Sequence, residues 1–130
     1  MRIKKVNLPT GSQLYKALSE EARLRILHLI FRNGEMCISD LEIILDFTQT
    51  KTSRHLNYMK QAGLLTTRKH DQWVFYSIKE AMQDIVGTLL SIVEGDMLLD
   101  KDQEIFQIMY SNRELAIYKA QHLRSRYALQ

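Results

Sequence analysis

Cysteine and proline occur once each in the 130 residues, as Cys37 and Pro9, and glycine only five times. A lone cysteine excludes an internal disulfide framework and fits a reducing compartment. So few prolines and glycines leave the chain free to form helices with short connections. Long hydrophobic runs are missing too: apolar residues make up 45% of the chain but lie in short clusters, so no membrane span is expected. The basic residues at positions 1–5 are followed by no continuous apolar core and no small-residue cleavage pattern. A secretory signal is therefore not expected, and the cytoplasm is the expected location. There is no glycine-rich phosphate loop, nucleophile elbow, two-histidine helix motif or evident acid pair on one face. Those absences argue against an enzyme, so neither a catalytic residue nor a cofactor is expected.

Charge is informative by its placement. The net charge of +3 is modest, but between positions 47 and 79 Lys51, Arg54, Lys60, Arg68, Lys69 and Lys79 face a single acid, Asp71. Such a segment suits either a solvated face or a polyanion.

Helical periodicity organises most of the chain. Ser12 is a cap candidate for a short helix carrying Leu14, Tyr15 and Leu18. Ser19 is the next, for a helix over residues 20–32 with Glu20 and Glu21 in its first turn. Its apolar stripe is Leu24, Leu27 and Ile30, with Ile26 and Phe31 beside it, and Gly34 stands just past its end. Ser39-Asp40-Leu41-Glu42 has capping-box spacing, with Ile38 and Ile43 placed as a hydrophobic staple, and predicts a third helix reaching Asp46. Thr48 is the cap candidate for a fourth helix that runs from Gln49 to a glycine stop at Gly63. At 100° per residue, Thr52, Leu56, Met59 and Gly63 share one side. Thr50, Arg54, Asn57 and Gln61 fall opposite, flanked by Lys51 and Ser53, which makes the outward face polar and basic.

After Gly63 the period shortens to about two. Val74, Tyr76 and Ile78 share one face of a strand and Trp73, Phe75 and Ser77 the other, with residues 65–68 as hairpin partner and Lys69-His70-Asp71-Gln72 as the turn. Residues 81–93 return to helical spacing with Ile85, Leu89 and Ile92 on a stripe, and Gly95-Asp96 should break that helix. Ile105, Ile108 and Met109 suggest another helix. Ser111-Asn112-Arg113-Glu114 is a second capping box, for a last helix reaching position 126.

Four helices, a two-stranded wing and a further helix follow the winged helix-turn-helix plan, with the fourth helix in the position that enters the major groove. The expected fold is thus mainly α with a two-stranded β-hairpin wing and extra C-terminal helices. Leu14-Tyr15-Lys16-Ala17-Leu18-Ser19 and Ala22-Arg23-Leu24-Arg25-Ile26-Leu27 resemble the opening of ArsR-family transcriptional regulators. Thr52-Ser53-Arg54-His55-Leu56, Ala62-Gly63-Leu64 and Trp73-Val74-Phe75-Tyr76 are similar to that family's recognition helix and wing. The resemblance spans residues 12–93 in order and implies a homodimer that represses transcription from double-stranded DNA until a signal releases it.

On this reading Gln49, Thr50, Lys51, Ser53, Arg54 and Asn57 form the DNA face of the fourth helix. Arg54 suits a bidentate contact to guanine, while Lys51 and the wing residues Arg68, Lys69 and His70 suit phosphates. His55 falls near the edge of the buried face, and Trp73, Phe75 and Tyr76 read as hairpin packing. Metal-sensing members of the family carry a cysteine pair where this chain has Cys37-Ile38-Ser39. The pair is incomplete, which leaves Cys37 as a weak metal candidate, better read as a small apolar filler with an open redox role. The helix after the wing offers Asp84 and Glu94 but no histidine between His70 and His122, so no zinc site of the family's other kind is expected.

The expected organisation is a loose arm over residues 1–11, a DNA-binding domain over 12–95 and a C-terminal helical extension over 96–130 used in dimerisation. A winged-helix module that docks proteins instead of DNA is the alternative.

Overall fold

A computed structural model describes residues 3–111. Helices α1 (Leu8–Ala17), α2 (Glu21–Asn33), α3 (Ile38–Leu45), α4 (Gln49–Gln61), α5 (Gln83–Ser91) and α6 (Met97–Ser111) surround a small sheet of β1 (Glu35–Cys37), β2 (Leu65–His70) and β3 (Trp73–Ile78). The sheet is antiparallel in the order β1-β3-β2. The expected two-stranded wing forms from β2 and β3, and β1 adds a third strand to its sheet, Met36 pairing with Tyr76 and Cys37 with Phe75. A strand as short as β1 is too brief for a period of two to register in sequence.

Several helix starts differ from the expected caps. α1 begins before Ser12: the side chain of Asn7 accepts a hydrogen bond of 2.9 Å from the Thr10 amide, and Pro9 occupies the first turn. Proline is tolerated there because its missing N–H would have no helical partner. Residues 8–11, expected within the arm, are thus helical. Ser19 does not cap α2, since its hydroxyl donates to the Lys16 carbonyl at 2.7 Å and Glu20 takes the cap position without a side-chain bond. The Ser39-Glu42 capping box does not form either. α3 starts two positions earlier, with Cys37 instead of Ser39 as its cap residue, and one Glu42 carboxylate oxygen is buried without a partner. That burial holds the Glu42 carboxyl above the usual carboxylate range. The second box begins inside α6, where the Ser111 hydroxyl donates to the Ile108 carbonyl. The helix expected beyond it lies outside the described residues, as does His122.

Thr48 caps α4 as expected, accepting from the Lys51 amide at 3.1 Å. The hairpin turn is tighter than expected, because His70 pairs with Trp73 and only Asp71 and Gln72 lie between the strands. Asp71 takes φ +55°, a left-handed conformation that aspartate tolerates better than most residues. Gly87 sits in the middle of α5.

α2 runs through the centre. Ile26, Leu27, Leu29 and Ile30 are all fully buried against Leu41, Leu56, Met59, Leu64 and Val86 from the surrounding elements. Each such side chain stabilises the fold by roughly 1.5–3 kcal/mol. α6 closes one side. Arg25 donates to both carboxylate oxygens of Asp102, Asn33 and Gln103 exchange amide hydrogen bonds at 2.9 Å, and Tyr110 donates to Asp40 of α3 at 2.7 Å.

Candidate nucleic-acid interface

α4 divides as its periodicity predicts. Thr52, His55, Leu56 and Met59 are buried, and the Thr52 hydroxyl is satisfied by donating to the Thr48 carbonyl at 2.8 Å. Gln49, Thr50, Ser53, Arg54 and Asn57 are exposed on the other side, with no acid among the residues of the helix. The helix N-terminus, with its unpaired amides and partial positive charge, adds to the attraction such a face exerts on anions.

Lys51 is half-buried, its Nζ 4.0 Å from the centre of the Phe47 ring. The ammonium is thus held at the start of α4 by a cation–π contact. Lys69 and His70 are exposed near the hairpin tip. Arg68 is engaged: it forms a bidentate pair with Glu35 of β1 and lies over the Phe75 ring at 4.8 Å. The Arg68 hydrogen bonds hold the Glu35 carboxyl below the usual carboxylate range. The wing is therefore braced across β3 to β1, with the Arg68 guanidinium already paired to Glu35.

His55 is 2% exposed and belongs to the packing. Its Nδ1 lies 3.4 Å from an Arg23 guanidinium nitrogen, and its Nε2 lies 3.7 Å from Glu20. Burial pushes the imidazole pKa below its ordinary value. Arg23 is the hub of this corner. It donates to the carbonyls of Ala17 and Lys16 at 2.8 and 2.9 Å, pairs with Glu20 at 2.9 Å and lies over the Tyr58 ring at 4.4 Å. One side chain thereby satisfies the end of α1, the start of α2 and the inner face of α4. Sequence reasoning missed it, although a signal was there: Arg23 shares the helical face of Ile26, Leu27 and Ile30, and a charge on an apolar face implies a buried partner.

Cys37 is buried, with its Sγ 3.3 Å from the Ser39 hydroxyl. Burial pushes the thiol pKa up, which disfavours the thiolate that binds soft metals. Among the described residues no group of three or more His, Cys, Asp or Glu side chains could hold a metal ion. In the same span no helix is long and apolar enough to cross a membrane.

A capped helix with a polar, acid-free outer face, followed by a braced hairpin, defines a winged helix-turn-helix protein. The profile of bacterial regulatory proteins of the arsR family matches residues 20–67. The arsenic resistance transcriptional regulator ArsR1 of Pseudomonas putida is 35% identical over 91 residues, which cover 70% of this chain and 67% of the relative. The arsenical resistance operon repressor of Escherichia coli is 46% identical over 66 residues, or 51% of this chain and 56% of the relative. Among solved structures, the homodimeric winged helix-turn-helix DNA-binding domain Mb0332 of Mycobacterium bovis superposes with a TM-score of 0.58 at 28% identity, covering 67% of this chain and 77% of the other. The chain belongs to the arsR family of bacterial regulatory proteins.

Proposed function

We propose that the protein is a cytoplasmic homodimer that binds double-stranded DNA in a sequence-specific manner and represses transcription until a signal releases it. The observation that carries this reading is the outer face of α4, acid-free and held by the Thr48 cap and the buried stripe behind it. In this role Gln49, Thr50, Ser53, Arg54 and Asn57 read base edges, and Lys51, Lys69 and His70 neutralise phosphates. Arg68 joins the phosphate contacts once a phosphate displaces Glu35. The role is regulatory and not catalytic, and it needs no cofactor. The names of the E. coli relative, a repressor, and of the M. bovis neighbour, a homodimeric DNA-binding domain, support it.

The dimer brings two copies of α4 to a two-fold site. Its surface draws on α1 and the helices after the wing. Leu14, Leu18 and Ile85 pack on the chain's own core, but Ile92 is 78% exposed, and Leu8, Tyr15 and Met97 are more than two-thirds exposed. On this partition residues 12–95 carry DNA binding, and the extension from 96 onward adds to the dimer. Selection from random-sequence duplexes tests the function: recovery of a palindromic site bound by a dimer is expected. Failure to enrich any sequence, with only monomer in sedimentation at micromolar concentration, contradicts it and favours a protein-docking module.

A further inference from the structure

Between the last turns of α2, the middle of α5 and the start of α6 lies a cleft of about 130 Å³. His28 lines it, is 8% exposed, and has a buried Nδ1 with no hydrogen-bond partner. Buried ring nitrogens are rarely left unpaired, and such an orphan calls for an explanation. Burial and the nearby Arg32 push the His28 pKa below its ordinary value, so the ring is uncharged at neutral pH.

One wall is shaped by a missing side chain. Gly87 lies inside α5, where glycine is less favourable than alanine. A Cβ at that position would come 2.7 Å from Cζ of Phe31. The missing side chain lets the Phe31 ring lie against the backbone of α5 and form an apolar wall, continued by Leu90 and Leu99. The rim carries two carboxylates, Glu94 and Asp100, against one guanidinium, Arg32. None of the three forms an ion pair among the described residues.

We propose that this cleft binds a small organic amine with an apolar body. The ammonium lies at the Glu94 and Asp100 carboxylates, the apolar part rests on Phe31, Leu90 and Leu99, and the uncharged His28 ring forms part of the wall. The excess of carboxylates selects a cation over an anion, and the apolar wall selects a body of about the size of a phenyl or short alkyl group. The proposal concerns binding alone and stands apart from the reading of α4.

The test uses the full chain without DNA, titrated with 2-phenylethylamine and, separately, with 3-phenylpropionate and 2-phenylethanol. Calorimetry gives affinity, and chemical shifts of His28, Phe31 and Leu90 report the location. Saturable amine binding that moves these resonances is expected, with the acid and the alcohol at least about tenfold weaker. The double variant Glu94→Gln/Asp100→Asn should lose at least about tenfold in amine affinity while its unfolding midpoint stays in place, since both residues are exposed. Gly87→Ala, which displaces the Phe31 ring from its place against α5, should weaken binding in a chain that still unfolds cooperatively. No saturable binding, as when the second copy fills the cleft, overturns the proposal. So do an acid that binds as tightly as the amine and a double variant that binds like the wild type.

Discussion

Arg25 donates hydrogen bonds of 2.9 Å to both carboxylate oxygens of Asp102, and that aspartate is 1% exposed. The pair fastens α6 to the central helix, with both carboxylate oxygens satisfied by a geometry that only the planar guanidinium fork offers. Removing the acid alone leaves a guanidinium whose surroundings were built for a partner. Asp102→Ala is therefore expected to cost about 3 kcal/mol of unfolding free energy. Urea denaturation checks this. A loss below about 0.5 kcal/mol would reduce the pair to an ordinary surface contact.

The two buried histidines set the expected pH dependence. His28 and His55 both have folded-state pKa values below 6.5, chiefly through burial. Depressed bases bind fewer protons folded than unfolded, so the stability they support is present above about pH 6.5 and declines as pH falls through and below that value. Glu42, whose pKa is raised, acts in the opposite sense. The unfolding free energy is expected to be lower at pH 5.5 than at pH 7.5, with the difference reduced in His28→Gln. Equal stabilities at the two pH values would contradict the account of these burials.

In the proposed DNA-binding role, the Glu35–Arg68 pair holds the wing guanidinium back from phosphate. Glu35→Gln should release Arg68 to the phosphates. Affinity should rise equally on specific and scrambled duplexes, and the salt slope should steepen by about one per subunit. An unchanged slope would mean that Arg68 stays with the sheet when DNA binds.

The Cys37 Sγ lies 3.3 Å from the Ser39 hydroxyl, and burial pushes the thiol pKa up, which disfavours the thiolate. A single thiol is a poor trap for a soft ion that prefers two or three sulfurs. Cys37→Ser is expected to leave DNA affinity unchanged with or without arsenite. Release of the wild type at low micromolar arsenite, abolished by the substitution, would refute this.

Legibility followed the range of each signal. α4 could be read because cap, periodicity and glycine stop agree within one segment, and the Gly95-Asp96 break holds, with Asp96 accepting from the Leu98 and Leu99 amides. Ser12, Ser19 and Ser39 misled because a serine at the right spacing is only a candidate. Asn7 with Pro9 set the start of α1, and strand β1 ran into α3 ahead of Ser39. Arg23 with His55, Arg68 with Glu35 and Arg25 with Asp102 were invisible as pairs, since 32, 33 and 77 positions separate their members. Such contacts depend on how α2, α4, α6 and the sheet pack, which no local pattern encodes.

The division of labour on DNA is the central claim, and Arg54 compared with Lys69 tests it most directly. Affinity for the selected site and for a scrambled duplex is measured across a salt series for the wild type, Arg54→Ala and Lys69→Ala. Arg54→Ala should lose about 1–3 kcal/mol on the selected site and much less on the scrambled one. Lys69→Ala should weaken both alike and lower the salt slope by about one per subunit. Equal losses on both duplexes for Arg54→Ala would remove it from base reading, and no loss for either variant would contradict the assignment of this face to DNA.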